Sequence, residues 1–330
     1  MEAGKIPNDI LNKIIIGKIN TFRKEVIMRP GIGEDCSAIE FDKYACVMST
    51  DPITAAGNNA GRLAVHISCN DIASSGVEPL GIMVTILCPV GTTEIELEQL
   101  MEQVCETAGQ LNVEVIGGHT EVTPAVNKII LSTTCVGKAL KDKVISSTGA
   151  KPGDSVILTK TAGLEGTAII AGDFENELLS YLGKNELEYA KSLINSLSVV
   201  PEGVLAGKFG ATSMHDITEG GVLGAAWEIA EASGTGITVN KDSIPIEPVT
   251  RRICDYFGIS PLRLISSGCM IITCQDGEGL VKLLEKNNVK ATIIGIITDK
   301  NSERILMSKE EGTVVEIDAP GPDELYKVIK

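Results

Sequence analysis

Residues 61–81 read GRLAVHISCNDIASSGVEPLG. Apolar residues recur at helical spacing from about Asn58 to Ser75, with Asn58 or Asn59 as the expected N-cap. The polar pair Asn70–Asp71 sits near the end of that helix, and the run GIMVTILC at 81–88 reads as a buried strand. Upstream, YACVMST at 44–50 reads as a strand ending at Asp51. Downstream, Leu97, Leu100, Met101, Val104 and Ala108 mark a helix over 93–110, followed by strands at 113–116 and 129–138. The turn cluster GAKPGD at 149–154 divides the chain into expected domains 1–148 and 149–330. Beyond it SVILTK reads as a strand. Helices are expected near 164–171, 184–197, 220–233 and 277–287, and strands at 236–240, 269–274, 290–297 and 303–307. Strands and helices alternate in both halves, so each is an α/β or α+β layered domain.

The 330 residues are 43% hydrophobic but only 3% aromatic, so aliphatic side chains must fill the cores. A net charge of −15 argues against a nucleic-acid surface. It is compatible with a phosphate ligand if divalent cations stand between carboxylates and phosphates. Nine cysteines occur without any C-x-x-C pair, mostly in apolar runs, as expected for free buried thiols in a reducing compartment. The start, MEAGKIPNDILNKIII, lacks the apolar run of a signal peptide, and no stretch reaches the roughly 20 apolar residues of a membrane span. A cytoplasmic location without membrane partners is the expectation.

Carboxylates recur where strands or apolar runs stop: Asp35 in GIGEDCSAI, Asp51 in VMSTDPI, Asp71 in HISCNDIASSG, Glu121 in VIGGHTEVTP, and Asp216 with Glu219 in MHDITEGGV. Acidic side chains at strand ends beside glycines are placed to converge on a cleft. Carboxylates that share a cleft repel one another, and a hard cation such as magnesium removes that cost. Gly220 and Gly221 directly precede a helical pattern, where backbone N–H groups suit a phosphate or simply form a turn. Lys160 and the glycines of residues 159–170 carry the same ambiguity, and neither segment has P-loop or G-x-G-x-x-G spacing. The histidines are His66, His119 and His215. His66 shares a helix face with Asn70, which suits a structural role.

GIGEDCSAI, STDPI, GRLAVHISCNDIASSGVEPLG, VIGGHTEV and MHDITEGGV together resemble, in order and spacing over residues 31–221, the signature blocks of the AIR-synthase (PurM) superfamily, closest to its HypE-like branch. The resemblance implies a two-domain PurM-like fold and a homodimer paired through N-terminal sheets. It implies an enzyme that uses ATP and magnesium to transfer or hydrolyse the γ-phosphoryl, activating an oxygen of a small substrate. Carried over by position, Asp35, Asp51 and Asp71 coordinate magnesium. Asn70, Gly117, Gly118, His119, Thr120, Lys160, Gly220 and Gly221 shape the nucleotide site, and Asp71, Asp216 and Glu121 serve catalysis. His119 stands where many relatives have an acidic ligand. HypE proteins also end in a reactive cysteine, whereas no cysteine follows Cys274 here. Two further readings are a thiamine-monophosphate kinase and a non-catalytic ATP-binding partner in hydrogenase maturation, the latter implying a maturation-protein partner.

Overall fold

The structure, a computed structural model, describes residues 6–54 and 59–329. The chain forms two sheets, each with its own helices. The first half contains α1 (Asn8–Ile14), β1 (Val26–Met28), β2 (Ser37–Phe41), β3 (Tyr44–Ile53), α2 (Ala60–Ser74), β4 (Pro79–Cys88), α3 (Glu94–Gln110), β5 (Glu114–Val122) and β6 (Ile130–Leu140). The second contains β7 (Ser155–Thr159), α4 (Leu164–Asp173), α5 (Glu175–Leu182), α6 (Lys184–Ser192), α7 (Val200–Phe209), β8 (Ser213–Asp216) and α8 (Gly221–Ser233). It continues with β9 (Gly236–Asn240), α9 (Pro248–Phe257), β10 (Met270–Cys274), α10 (Gly277–Lys286), β11 (Ala291–Thr298), β12 (Arg304–Ser308) and β13 (Thr313–Glu316).

The first sheet has the order β1-β2-β3-β6-β4-β5 and the second β13-β12-β9-β11-β7-β10-β8. Pairing is antiparallel except for β4 with β5 and β9 with β12. On β3, Ala45, Val47 and Ser49 alternate inward, and the period of two carries Asp51 onto the same face. That face is covered by α2, which is buried on nearly every side because it also packs on α3, α7 and β8. Helix α2 is therefore the shared wall between the halves. Helix α3 begins with a capping box: Thr93 Oγ1 accepts from Glu96 N–H at 3.2 Å, and Glu96 Oε2 accepts from Thr93 N–H at 2.8 Å.

Several expectations needed correction. Asn58 lies outside the described residues, and Asn59 occupies the N-cap position of α2 without a side-chain cap bond. The strand expected at 113–116 runs on through Gly117–Val122, because β5 pairs residue by residue with β4. A Cβ at Gly118 would lie 2.0 Å from the Val84 carbonyl oxygen, so glycine there permits strand contact. The helix expected over 184–197 ends at Ser192 and tightens into a 3-10 turn. Helices α5, α7 and α9 and the four-residue strand β8 were not among the expected elements, although Val249, Thr250, Ile253 and Cys254 of α9 are buried at helical spacing. All nine cysteines are free, and all but Cys46 and Cys105 are buried. Among the described residues, no helix is long and apolar enough to cross a membrane.

Candidate metal centre

Four aspartates from four separate elements meet where β3, α2 and β8 come together. Asp51 points inward from β3. Asp71 reaches from α2, Asp216 ends β8, and Asp35 enters from the loop between β1 and β2. Ser49, one inward step before Asp51, donates its hydroxyl to Asp71 in a very short contact and lies 3.4 Å from Asp51 Oδ2. Asp71 is 3% exposed and Asp216 fully buried. Burial, then the charges of Asp216, Asp51 and Asp35, holds the Asp71 carboxyl well above its usual range. Asp216 is pushed up to about 7, first by burial and then by Asp35, with His215 opposing and Asp51 adding to the rise.

His215 precedes Asp216 on β8 and lies between two acids. Its Nδ1 is 2.8 Å from Asp35 Oδ2, close enough for an ion pair though off the line of a well-aligned hydrogen bond. Its Nε2 is 3.0 Å from Glu228 Oε2 on α8. Burial opposes the charge, but Asp35 and Glu228 outweigh it and hold the imidazole well above its usual range. Ligand atoms of Asp35, His215 and Asp216 all fall within 4.8 Å of one another. With Nε2 held by Glu228 and Nδ1 facing Asp35, both ring nitrogens are turned to acids, so the donor set is the carboxylates. Both carboxylate oxygens of Asp216 are buried without a protein hydrogen-bond partner. Hard oxygen donors that repel one another, with two oxygens unspent, fit a divalent cation such as magnesium.

The other expected site residues lie elsewhere. Asn70 is buried, but its amide is spent between the halves: Nδ2 donates to Leu197 O at 2.8 Å and Oδ1 accepts from Val199 N–H at 2.9 Å. Lys160 Nζ is paired with Glu202 and donates to Ser198 O at 2.8 Å and Gly268 O at 2.6 Å. Gly220 N–H donates to Asp323 Oδ2 at 2.7 Å and Gly221 N–H to Thr218 O at 3.2 Å, so both amides expected near phosphate are engaged within the chain. Gly117, Gly118, His119, Thr120 and Glu121 lie on the edge strand β5, largely exposed, with β6 and β4 between them and β3. There His119 Nε2 is 3.5 Å from Glu121 Oε2. Sequence reasoning named His215 without giving it a role and did not single out Glu228. The available signal was a histidine beside Asp216 followed by a glutamate on the helix after the glycine pair.

A cleft of about 1050 Å³ opens between the halves, beginning at Ile53 and Thr54, two residues beyond Asp51. Leu63, Gln99, Lys128 and Lys191 also line it. It is large enough for a nucleotide-sized ligand.

Fold and site thus define a two-domain α/β protein with an acidic centre at the junction of its halves. The model described as AIR synthase related protein, N-terminal domain, matches residues 33–139, and the one described as AIR synthase related protein, C-terminal domain, matches residues 151–308. The chain belongs to the AIR synthase-related family. A putative hydrogenase expression/formation protein of Methanocaldococcus jannaschii is 28% identical over 99% of this chain and 97% of its own length. The carbamoyl dehydratase HypE of Rhizobium leguminosarum bv. viciae is 26% identical over 82% of this chain and 78% of its own. Among solved structures, a HypE–HypF complex superposes with a TM-score of 0.77 at 21% identity, covering 94% of this chain and 99% of that one. The hydrogenase maturation protein HypE in complex with ATP gives 0.70 at 19%, covering 98% and 97%. At these identities the structures establish the PurM-like fold.

Proposed function

We propose that this chain is a HypE-like enzyme that binds ATP with magnesium at Asp35, Asp51, Asp71 and Asp216 and uses the γ-phosphoryl to activate an oxygen of a small substrate. The observation that carries this reading is the convergence of four aspartates, two of them buried, with both Asp216 oxygens lacking a protein partner. The ATP complex of a HypE with the same fold, and relatives named carbamoyl dehydratase, support it. Bound magnesium would supply charge neutralisation for the phosphates. The chain's own contribution is positioning: Ser49 orients Asp71, and the wall of α2 excludes water behind the cluster.

We also infer a homodimer through the open face of the first sheet. Leu80, Met83, Ile116 and Val122 are exposed there on β4 and β5, an apolar surface that a second copy would cover. It would also place the Gly117–Glu121 strand at an interface. A maturation protein of the HypF kind is the proposed partner, by analogy with the HypE–HypF complex. Calorimetric titration with a non-hydrolysable ATP analogue tests the reading. Binding that requires magnesium, and weakens by about 1–3 kcal/mol in Asp51→Asn, supports it. Binding indifferent to magnesium and to that substitution overturns it. Light scattering at twice the 34.9 kDa chain mass supports the dimer, and a monomer contradicts it.

A further inference from the structure

Asp35 differs from its three companions. Asp51, Asp71 and Asp216 lie on a strand or a helix, whereas Asp35 sits on a loop whose one backbone bridge joins Gly31 and Glu34. Its side chain is 29% exposed. A ligand on such a loop binds a cation well only if something else fixes it. Within the first half Glu34 accepts from Ser146 and, at 3.1 Å, from Ser147, and Cys36 Sγ donates to Asp71 O at 3.1 Å, whereas the Asp35 carboxylate itself is met from the other half. His215 and Glu228 are each 2% exposed and joined at 3.0 Å, and the far side of the same ring meets Asp35 at 2.8 Å. The loop also rests on Glu228 directly. Gly33 has φ +70°, and a Cβ there would lie 3.2 Å from Glu228 Cβ and 3.4 Å from its carbonyl oxygen. Two independent contacts thus seat one loop of the first half on one residue of α8.

We propose that His215 and Glu228 are positioning residues that hold Asp35 in place for the cation across the boundary between the halves. Glu228 fixes the ring through Nε2, and the ring fixes the carboxylate through Nδ1. This is the arrangement in which a group behind a ligand sets the ligand's orientation. It makes cation affinity depend on how closely α8 and the loop approach. The loop is anchored in its own half, and the orientation of the fourth carboxylate is set from the other. The proposal rests on the magnesium reading above.

The test measures the magnesium concentration that half-saturates binding of a non-hydrolysable ATP analogue, alongside the melting temperature without metal. Glu228→Gln and His215→Gln are expected to raise that concentration about tenfold or more, the usual scale for losing a group that orients a metal ligand. His215→Arg restores it towards the wild-type value, because a guanidinium also spans two carboxylates. Gly33→Ala leaves the ion pairs chemically intact but pushes the loop from α8, and shifts the half-saturation point in the same direction. Lowered melting temperatures in all variants with an unshifted magnesium requirement assign the pair a purely structural role and overturn the proposal. A wild type without magnesium dependence overturns the metal reading itself and this proposal with it. A magnesium-dependent wild type with unshifted variants overturns this proposal alone.

Discussion

His215–Asp216 and Gly220–Gly221 stand four residues apart in one segment, yet the structure treats them in opposite ways. At the first end, burial leaves an aspartate with two unpartnered oxygens and a raised proton affinity, facing three more carboxylates. At the second, every polar group named is satisfied. Asp323 accepts from Gly220 N–H at 2.7 Å, from Leu325 N–H at 2.8 Å and from Ile265 N–H at 3.2 Å. Tyr326 donates its hydroxyl to Glu219 at 3.0 Å. Folding normally pairs buried polar groups. Two unpaired oxygens on one buried carboxylate that faces further acids fit a site for a cation, while a glycine turn closed by its own chain needs no ligand. The contrast falls within one segment, MHDITEGGV, whose glycines the sequence left open between a phosphate site and a turn.

The satisfied end can be broken directly. Asp323→Ala leaves three backbone N–H groups without their acceptor and is expected to cost about 3 kcal/mol or more in denaturant unfolding, with magnesium affinity unchanged. A loss of magnesium affinity in that variant would join the two ends and defeat the distinction. A second effect sharpens the rule for unpaired carboxylates. Glu165 is buried on the first turn of α4, one of its oxygens has no partner, and burial pushes its carboxyl up to about 7. A folded-state value above the unfolded 4.5 means that the charged form is disfavoured in the fold. Stability attributable to this group is present below about 4.5 and lost as pH rises through about 7. Glu165→Gln removes that penalty, so it is expected to be more stable than the wild type by about 3 kcal/mol at pH 8 and to have no advantage at pH 4. An advantage independent of pH would show that charge is not the cause.

Much of this was legible in the sequence. The helix over 61–74 and the strands on either side follow from apolar periodicity, and the aspartates that converge are those placed at the ends of such runs. What stayed hidden depends on contacts distant in sequence. The resemblance put Asn70 at the phosphate site, but Leu197 and Val199, more than 120 positions away, take its amide. Lys160 beside a glycine-rich stretch looked available until Glu202 and two carbonyls were folded against it. The strand expected at 113–116 stops short of the Gly117–Gly118 pair, and its parallel neighbour β4 carries it through them. His215 gained its role from Glu228 on the following helix, a pairing no local pattern displays.

The most direct test is the melting temperature of the wild type and of Asp71→Asn, each with and without magnesium. Burial and three neighbouring acids make the Asp71 charge costly in the metal-free fold, so the neutral amide should raise the metal-free melting temperature. The same change removes a cation ligand, so the increase that magnesium gives the wild type should be largely lost. A variant less stable than the wild type without metal, yet equally stabilised by magnesium, would contradict a carboxylate centre built to hold a cation.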